Sequence, residues 1–385
     1  MSFRIIMLAC MPLVLWMGCA TPATRYQPAW TGDALSDGLH AVDHAPSHDR
    51  VLWQMNTARV AMMKKKYALA QNLFDEVLLS IESRYGKDPQ ARKARGIFRE
   101  EAGKYFIGEP YERVMAFYYR GILYWRAGEI DNARACFRSA QMHDSGAHDD
   151  AYSNDYVLMD YLDGLASHTL HASGNSNYLR ATNSARLAVP PAYQAGHNVL
   201  FFADYGRGPS KFATGEYAEQ LRIRPGDSRA FEMKITTKHG GLHLGPYDNV
   251  SYQATTRGGR VMDHILAKQA VFKTTTDTVG DAALISGLIL SDGKNTQDIG
   301  LGLAAVGLVS KIISAATMPA ADTRSWDNLP QFLTFGSMRL PVGVHTLDIE
   351  YLDVSGDVIP AMTRRETIEV HSSSKDTVVY LSDTQ

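Results

Sequence analysis

Cysteine is almost missing from this chain: of 385 residues, only Cys10, Cys19 and Cys136 carry a thiol. That scarcity excludes a disulfide framework and any zinc site built on cysteine pairs, and leaves core packing to hold the fold. An excess of one charge is missing too, since 39 basic residues stand against 41 acidic ones. Such a balance leaves no electrostatic footprint for nucleic acid, so no nucleic-acid partner is expected. The densest basic run, "RVAMMKKK" from Arg59 to Lys66, reads as a solvated helix face. G-x-S-x-G, H-E-x-x-H and Walker A patterns are absent, so motifs assign no catalytic residue, no metal and no cofactor.

What the chain does have, at its start, is an export signal. "MSFRIIMLACMPLVLWMGCATPAT" sets Arg4 before an apolar run from Ile5 to Met17, short of the ~20 apolar residues of a membrane span. The sequel "LWMGCATP" resembles the lipobox of bacterial lipoproteins, with Trp16 at the place usually held by Leu. Residues 1–18 are therefore expected to leave as a signal peptide, with Cys19 lipidated as the new N-terminus. Several acyl chains there, palmitate among them, anchor far better than one. By resemblance to the enterobacterial lipoprotein sorting rule, Ala20 rather than Asp after the cysteine implies the periplasmic face of the outer membrane. Residues 19–49 are rich in Pro, Ala, Gly and polar types and lack a hydrophobic period, so they read as a flexible tether.

From Val51 to about Val189 the apolar residues recur at helical spacing. The stretch "YYRGILYWRAGEIDNARACFRSAQ" from Tyr118 to Gln141 is the clearest part. Phe117, Gly121, Tyr124, Gly128, Ala133, Phe137 and Ala140 fall at the spacings of a tetratricopeptide repeat. In that pattern Gly121 and Ala133 let two helices approach, Gly128 turns the chain, and Tyr124 with Phe137 fills the gap. Tyr67, Ala70 and Phe74 repeat part of the pattern, and Gly164 with Ala181 marks a looser third copy. Recognition is then expected from residues off the pattern: Tyr118, Arg120, Trp125 and Arg126.

Beyond Pro190 and Pro191 the texture changes to strands, among them "NVLFF", "RAFEMKITTK", "NVSYQATT", "HTLDIEYLD", "RETIEV" and "TVVYL". Alternation and turn residues there suggest a β-sandwich. Residues 279–316 interrupt it with two glycine-bearing apolar segments, which read as a helical hairpin. Packing against the sandwich is the simpler expectation; self-association into a homo-oligomer or insertion into lipid is the sharper one. The expected fold class is thus α+β and multidomain: a tetratricopeptide-like helical domain over 50–189, then a β-sandwich-like domain over 190–385 carrying the apolar hairpin.

The stretches "GEPYERVMAFYYRGILYWRAGEIDNARACFRSAQ", "GRGPSKFATGEYAEQ", "QATTRGGRVMDHIL" and "ADTRSWDNLPQFL" closely resemble an uncharacterised family of bacterial lipoproteins. That resemblance covers most of the mature chain. It implies helical repeats with a C-terminal β region at a lipid-anchored location, and brings no activity, cofactor or site residue.

Clustered metal-ligand types occur at His143, Asp144, His148, Asp149 and Asp150, and at His168 with His171, where a polar loop and ordinary histidines are the simpler reading. "ADTRSWDNLP" crowds Asp322, Arg324, Trp326 and Asp327 on one connector. Arg324, Trp326 and Asp327 have the composition of a recognition hot spot, and serve equally to pin the connector. The leading expectation is a lipid-anchored periplasmic scaffold whose helical repeats bind an envelope protein or peptide. Its rival is a cell-wall-acting enzyme or ligand-binding protein using Asp204, Arg207, His239 and Asp248 converging from β-domain loops. A third is a secretion or pore component using the apolar hairpin.

Overall fold

The structure is a computed structural model in which residues 30–85, 105–144, 155–215, 218, 220–256 and 321–383 are described. The signal peptide, Cys19, the hairpin at 279–316 and the residues His148, Asp149 and Asp150 lie outside the described residues.

Among the described residues seven helices come first: α1 (Ala34–His44), α2 (Arg50–Met63), α3 (Tyr67–Tyr85), α4 (Pro110–Arg126), α5 (Ile130–Asp144), α6 (Val157–Thr169) and α7 (Asn175–Ser184). Helix α1 lies inside the stretch expected to be tether. Asp33 caps it by accepting from the Leu35 amide at 3.1 Å, and Ala41 and Val42 bury its inner side, so the body begins near Asp33. Helix α4 opens on Pro110, and the Glu112 side chain reaches back to the Glu109 amide at 2.6 Å.

The helices pack in succession, α2 with α3, α4 with α5, and α6 with α7, with α3 against α4 and α5 against α6. At Gly121 a Cβ would stand 2.7 Å from the Phe137 ring, so only glycine lets α4 and α5 close to this distance. Gly128, at φ +82°, turns the chain between them.

Ten strands are described: β1 (Val199–Tyr205), β2 (Ser210–Thr214), β3 (Gln220–Arg224), β4 (Glu232–Thr237), β5 (Gly240–Leu244), β6 (Asp248–Asn249), β7 (Phe332–Met338), β8 (Gly343–Leu352), β9 (Arg364–Val370) and β10 (Thr377–Ser382). An inner sheet runs β10-β1-β7-β6, with β1 parallel to β10 and antiparallel to β7. An outer antiparallel sheet runs β5-β4-β8-β9, and β2 with β3 forms a separate ribbon. Helix α8 (Val250–Thr255) follows β6. "NVSYQATT" is therefore mainly helix where alternation suggested strand, because the Asn249 side chain accepts from the Tyr252 amide at 3.1 Å and caps a turn.

Period two along β1 explains the layering. Val199, Phe201, Ala203 and Tyr205 face the outer sheet and join Met233, Ile235, Leu347, Ile349 and Tyr351 in one apolar cluster. Leu200 and Phe202 point the other way and belong to the cluster built by the helices. Strand β1 is thus buried on both faces, which is why "NVLFF" reads as an unbroken apolar run. The change of period near residue 190 marks a change of secondary structure, while the apolar core runs across it. Among the described residues no helix is long and apolar enough to cross a membrane.

Candidate functional site

Stacked helical hairpins leave an inner face lined by the first helix of each pair. Here those helices are α2, α4 and α6, and each packs on the inner sheet, α2 and α4 on β10 and α6 on β7. The face that a helical repeat would offer to a partner is filled by the chain's own strands. Tyr161 of α6 meets Phe335 of β7 at 5.8 Å between ring centres, and Trp125 of α4 meets Phe202 of β1 at 6.3 Å.

A buried polar cluster is set into this seam. Arg59 of α2 donates from Nη2 to Asp204 Oδ1 at 3.1 Å, and from Nε to the Tyr119 hydroxyl at 3.0 Å. The hydroxyls of Tyr119 and Tyr380 each donate to Asp204 Oδ2 at 2.7 Å. Arg59 also donates to the Asn328 carbonyl. Such pairing is what permits a guanidinium and a carboxylate inside an apolar core. Arg59 is consequently interior, a correction to the solvated basic face; Lys64, Lys65 and Lys66 of that run are exposed.

A second cluster joins the connector before β7 to the helices. Arg324 donates from Nη1 to Asp49 Oδ1 at 2.8 Å and from Nη2 to Asp322 Oδ2 at 2.7 Å. Lys211 of β2 donates from Nζ to Glu112 Oε2 at 2.7 Å and to the Arg324 carbonyl at 2.9 Å. The Trp326 amide donates to Glu112 Oε1 at 2.8 Å, and its indole to Asn328 Oδ1 at 2.7 Å. Arginine pairing holds the Asp322 carboxyl below its usual range against the opposing effect of burial.

Burial therefore changes the meaning of the residues expected to face a partner. Tyr118, Arg120, Trp125, Arg324 and Trp326 are all buried and spend their polar groups or their surface inside the chain. Arg120 donates from Nε to Asp75 at 2.6 Å and stacks 3.3 Å over the Tyr124 ring. Arg126 is exposed, lies 4.1 Å over Tyr67, and donates to the Val378 carbonyl at 2.8 Å. Asp327 is exposed.

Of the four residues expected to converge from β-domain loops, Asp204 and Asp248 lie level across β7, both opposite Leu333, but each is committed to its own buried partners. Asp204 is enclosed as described, and Asp248 caps α6 by accepting from the Val157 and Leu158 amides at 3.0 and 2.8 Å. Complete burial pushes the Asp248 carboxyl up to about 7. Arg207 is exposed beside the ribbon, while His239 sits in the β4–β5 turn against the His345 ring at 5.2 Å. His143 and Asp144 are buried at the end of α5, with His143 stacked on Phe117 at 4.9 Å. No group of three or more His, Cys, Asp or Glu side chains among the described residues is placed to hold a metal.

An open groove of about 490 Å³ lies where the end of α6 meets the inner sheet, and it is the candidate site. His168, Thr169 and His171 from the end of α6, Gln194 and His197 from the segment before β1, Ser337 of β7 and Asp376 before β10 line it together with Trp125 and Leu200. His171, at φ 60°, takes the left-handed turn that follows α6 and is among the residues lining the groove. His197 Nδ1 lies 2.8 Å from the Ser337 hydroxyl, and partial burial pushes its pKa down. Trp125 donates its indole N–H to Asp376 Oδ2 at 2.8 Å, and burial pushes that carboxyl up. This arrangement sets imidazoles beside an indole and a carboxyl, which suits binding through hydrogen bonds. His168 and His171 were legible as a pair one turn apart; His197 and Asp376 were not, because nothing local in the sequence points to them. Compared with known protein families, with characterised proteins and with solved structures, the chain matches none.

Proposed function

We infer that this chain is a lipid-anchored periplasmic adaptor. In this reading Cys19 holds it to the periplasmic face of the outer membrane, and the body binds an envelope protein or peptide. The helical pairs are read as degenerate tetratricopeptide-like repeats and the two sheets as a β-sandwich-like unit. The observation that carries binding over catalysis is the fate of the polar residues. Asp204 and Asp248, two of those an enzyme reading would use, are enclosed as structural partners of Arg59, Tyr119 and the α6 amides. What stays accessible is the groove around His168, His171, His197 and Asp376.

A photo-crosslinking residue at Thr169, expressed in the native envelope, should capture one defined partner. Replacing His168 and His197 together by alanine should reduce that capture at least fivefold while the melting temperature holds. Capture that is diffuse, or is unchanged in the double variant, sinks the groove as the recognition site. Radiolabelled palmitate should enter the wild-type chain and fail to enter Cys19→Ser.

A further inference from the structure

The ribbon of β2 and β3 has two unlike faces, set by the pairing Ser210 with Arg224, Phe212 with Arg222, and Thr214 with Gln220. Paired residues in an antiparallel ribbon share a face, so Phe212, Arg222 and Arg224 stand together on one side. All three are exposed. Arg224 lies 5.4 Å over the Phe212 ring, and Arg222 donates to Gln220 at 3.0 Å. Arg207 and Arg229 flank the base of the ribbon and are exposed as well. None of these four arginines makes an ion pair with a described residue. Asp227 is the exposed carboxylate at that base, and Glu216 and Glu219 in the connecting turn lie outside the described residues.

The opposite face is fixed. Lys211 is buried on Glu112, Ile223 packs on the helical core, and the Ala321 amide donates to the Ala218 carbonyl at 2.8 Å. The arginines are thus presented on a held scaffold.

We propose that this face of the ribbon docks on an anionic phospholipid surface. Unpaired guanidiniums match lipid phosphates, and an exposed phenyl beside them suits the headgroup boundary. A polyanion such as nucleic acid fits less well, since the chain as a whole carries a net charge of −2. The location rests on the anchored reading above. The roughly 15 residues from Cys19 to the start of α1 span at most ~50 Å, comparable to the ~50 Å diameter of a body this size, so the ribbon lies within reach of the leaflet.

The test uses the mature chain with Cys19→Ser, which carries no lipid, floated with vesicles of phosphatidylcholine alone or mixed with phosphatidylglycerol. Binding should require phosphatidylglycerol and weaken with salt. Arg222→Gln with Arg224→Gln should lower partitioning about 30-fold, at roughly 1 kcal/mol for each arginine near an anionic surface, with an unchanged melting temperature. Absence of wild-type binding, equal binding by the double variant, or competition by a single-stranded oligonucleotide as effective as the anionic vesicles would overturn the proposal. If palmitate fails to enter Cys19 while arginine-dependent vesicle binding persists, the anchor is refuted and the ribbon stands.

Discussion

Replacing Asp204 by alanine removes the acceptor of three donors at once. Arg59 loses its 3.1 Å partner, and the hydroxyls of Tyr119 and Tyr380 lose theirs at 2.7 Å, all within a buried seam. The guanidinium then keeps neutral oxygens, from Asn328, Tyr119 and Ser382, and no carboxylate at ion-pair distance among the described residues. Breaking one side of a buried pair costs about 3–5 kcal/mol, because the remaining charge is still desolvated. That is a large part of the ~5–15 kcal/mol by which a domain is stable, so Asp204→Ala should be soluble yet marginal. Urea titration followed by tyrosine and tryptophan fluorescence measures the loss as a lower midpoint with a steady slope.

The pair can be isolated by a cycle with Arg59→Met and Asp204→Leu. With both charges gone no desolvated ion remains, so the double variant should recover at least ~2 kcal/mol relative to the sum of the singles. A single-variant cost under ~1 kcal/mol, or strict additivity, would refute a buried ion pair holding helix to sheet.

At Gly121→Ala the added methyl meets the Phe137 ring at 2.7 Å, so a loss of about 1–3 kcal/mol is expected, partly relieved by adding Phe137→Leu; equal melting temperatures for wild type and Gly121→Ala would contradict the close approach. Asp248 titrates near 7 in the folded chain against 3.8 ordinarily. The native form keeps a proton that the unfolded chain gives up, so stability is fullest below about 4 and is lost as pH rises toward 7, by on the order of 4 kcal/mol. Asp248→Asn should flatten that slope in urea titrations between pH 5 and 7.5, and an equally steep variant would assign it elsewhere.

Local chemistry made much of the fold legible. The helical period from Val51 and the glycines at 121 and 128 specify a close helical pair by spacing alone. The strands at β4, β8 and β9 follow from alternation and turn residues, and those at β1 and β10 from short apolar runs bounded by turn residues. Where local reading fails, a cap or a distant partner outweighs the pattern. Asn249 turns "NVSYQATT" into helix, Asp33 starts α1 inside a stretch without hydrophobic period, and Ser210 to Thr214 form a strand only because Gln220 to Arg224 pair with them.

The aromatic stretch from Tyr118 to Gln141 divides the two kinds of knowledge. Its spacing determined that Gly121 and Phe137 meet, since helix geometry is local. Which side of α4 would be free was a matter of tertiary structure alone. The inner sheet, arriving some 80 residues later, covers the side carrying Tyr119 and Trp125. Arg59 and Asp204 are 145 residues apart, and neither carries a local mark of burial. Charge is placed inside a protein only where a partner is brought to it, and that pairing is decided by the packing of helices on a sheet, which no window of sequence contains.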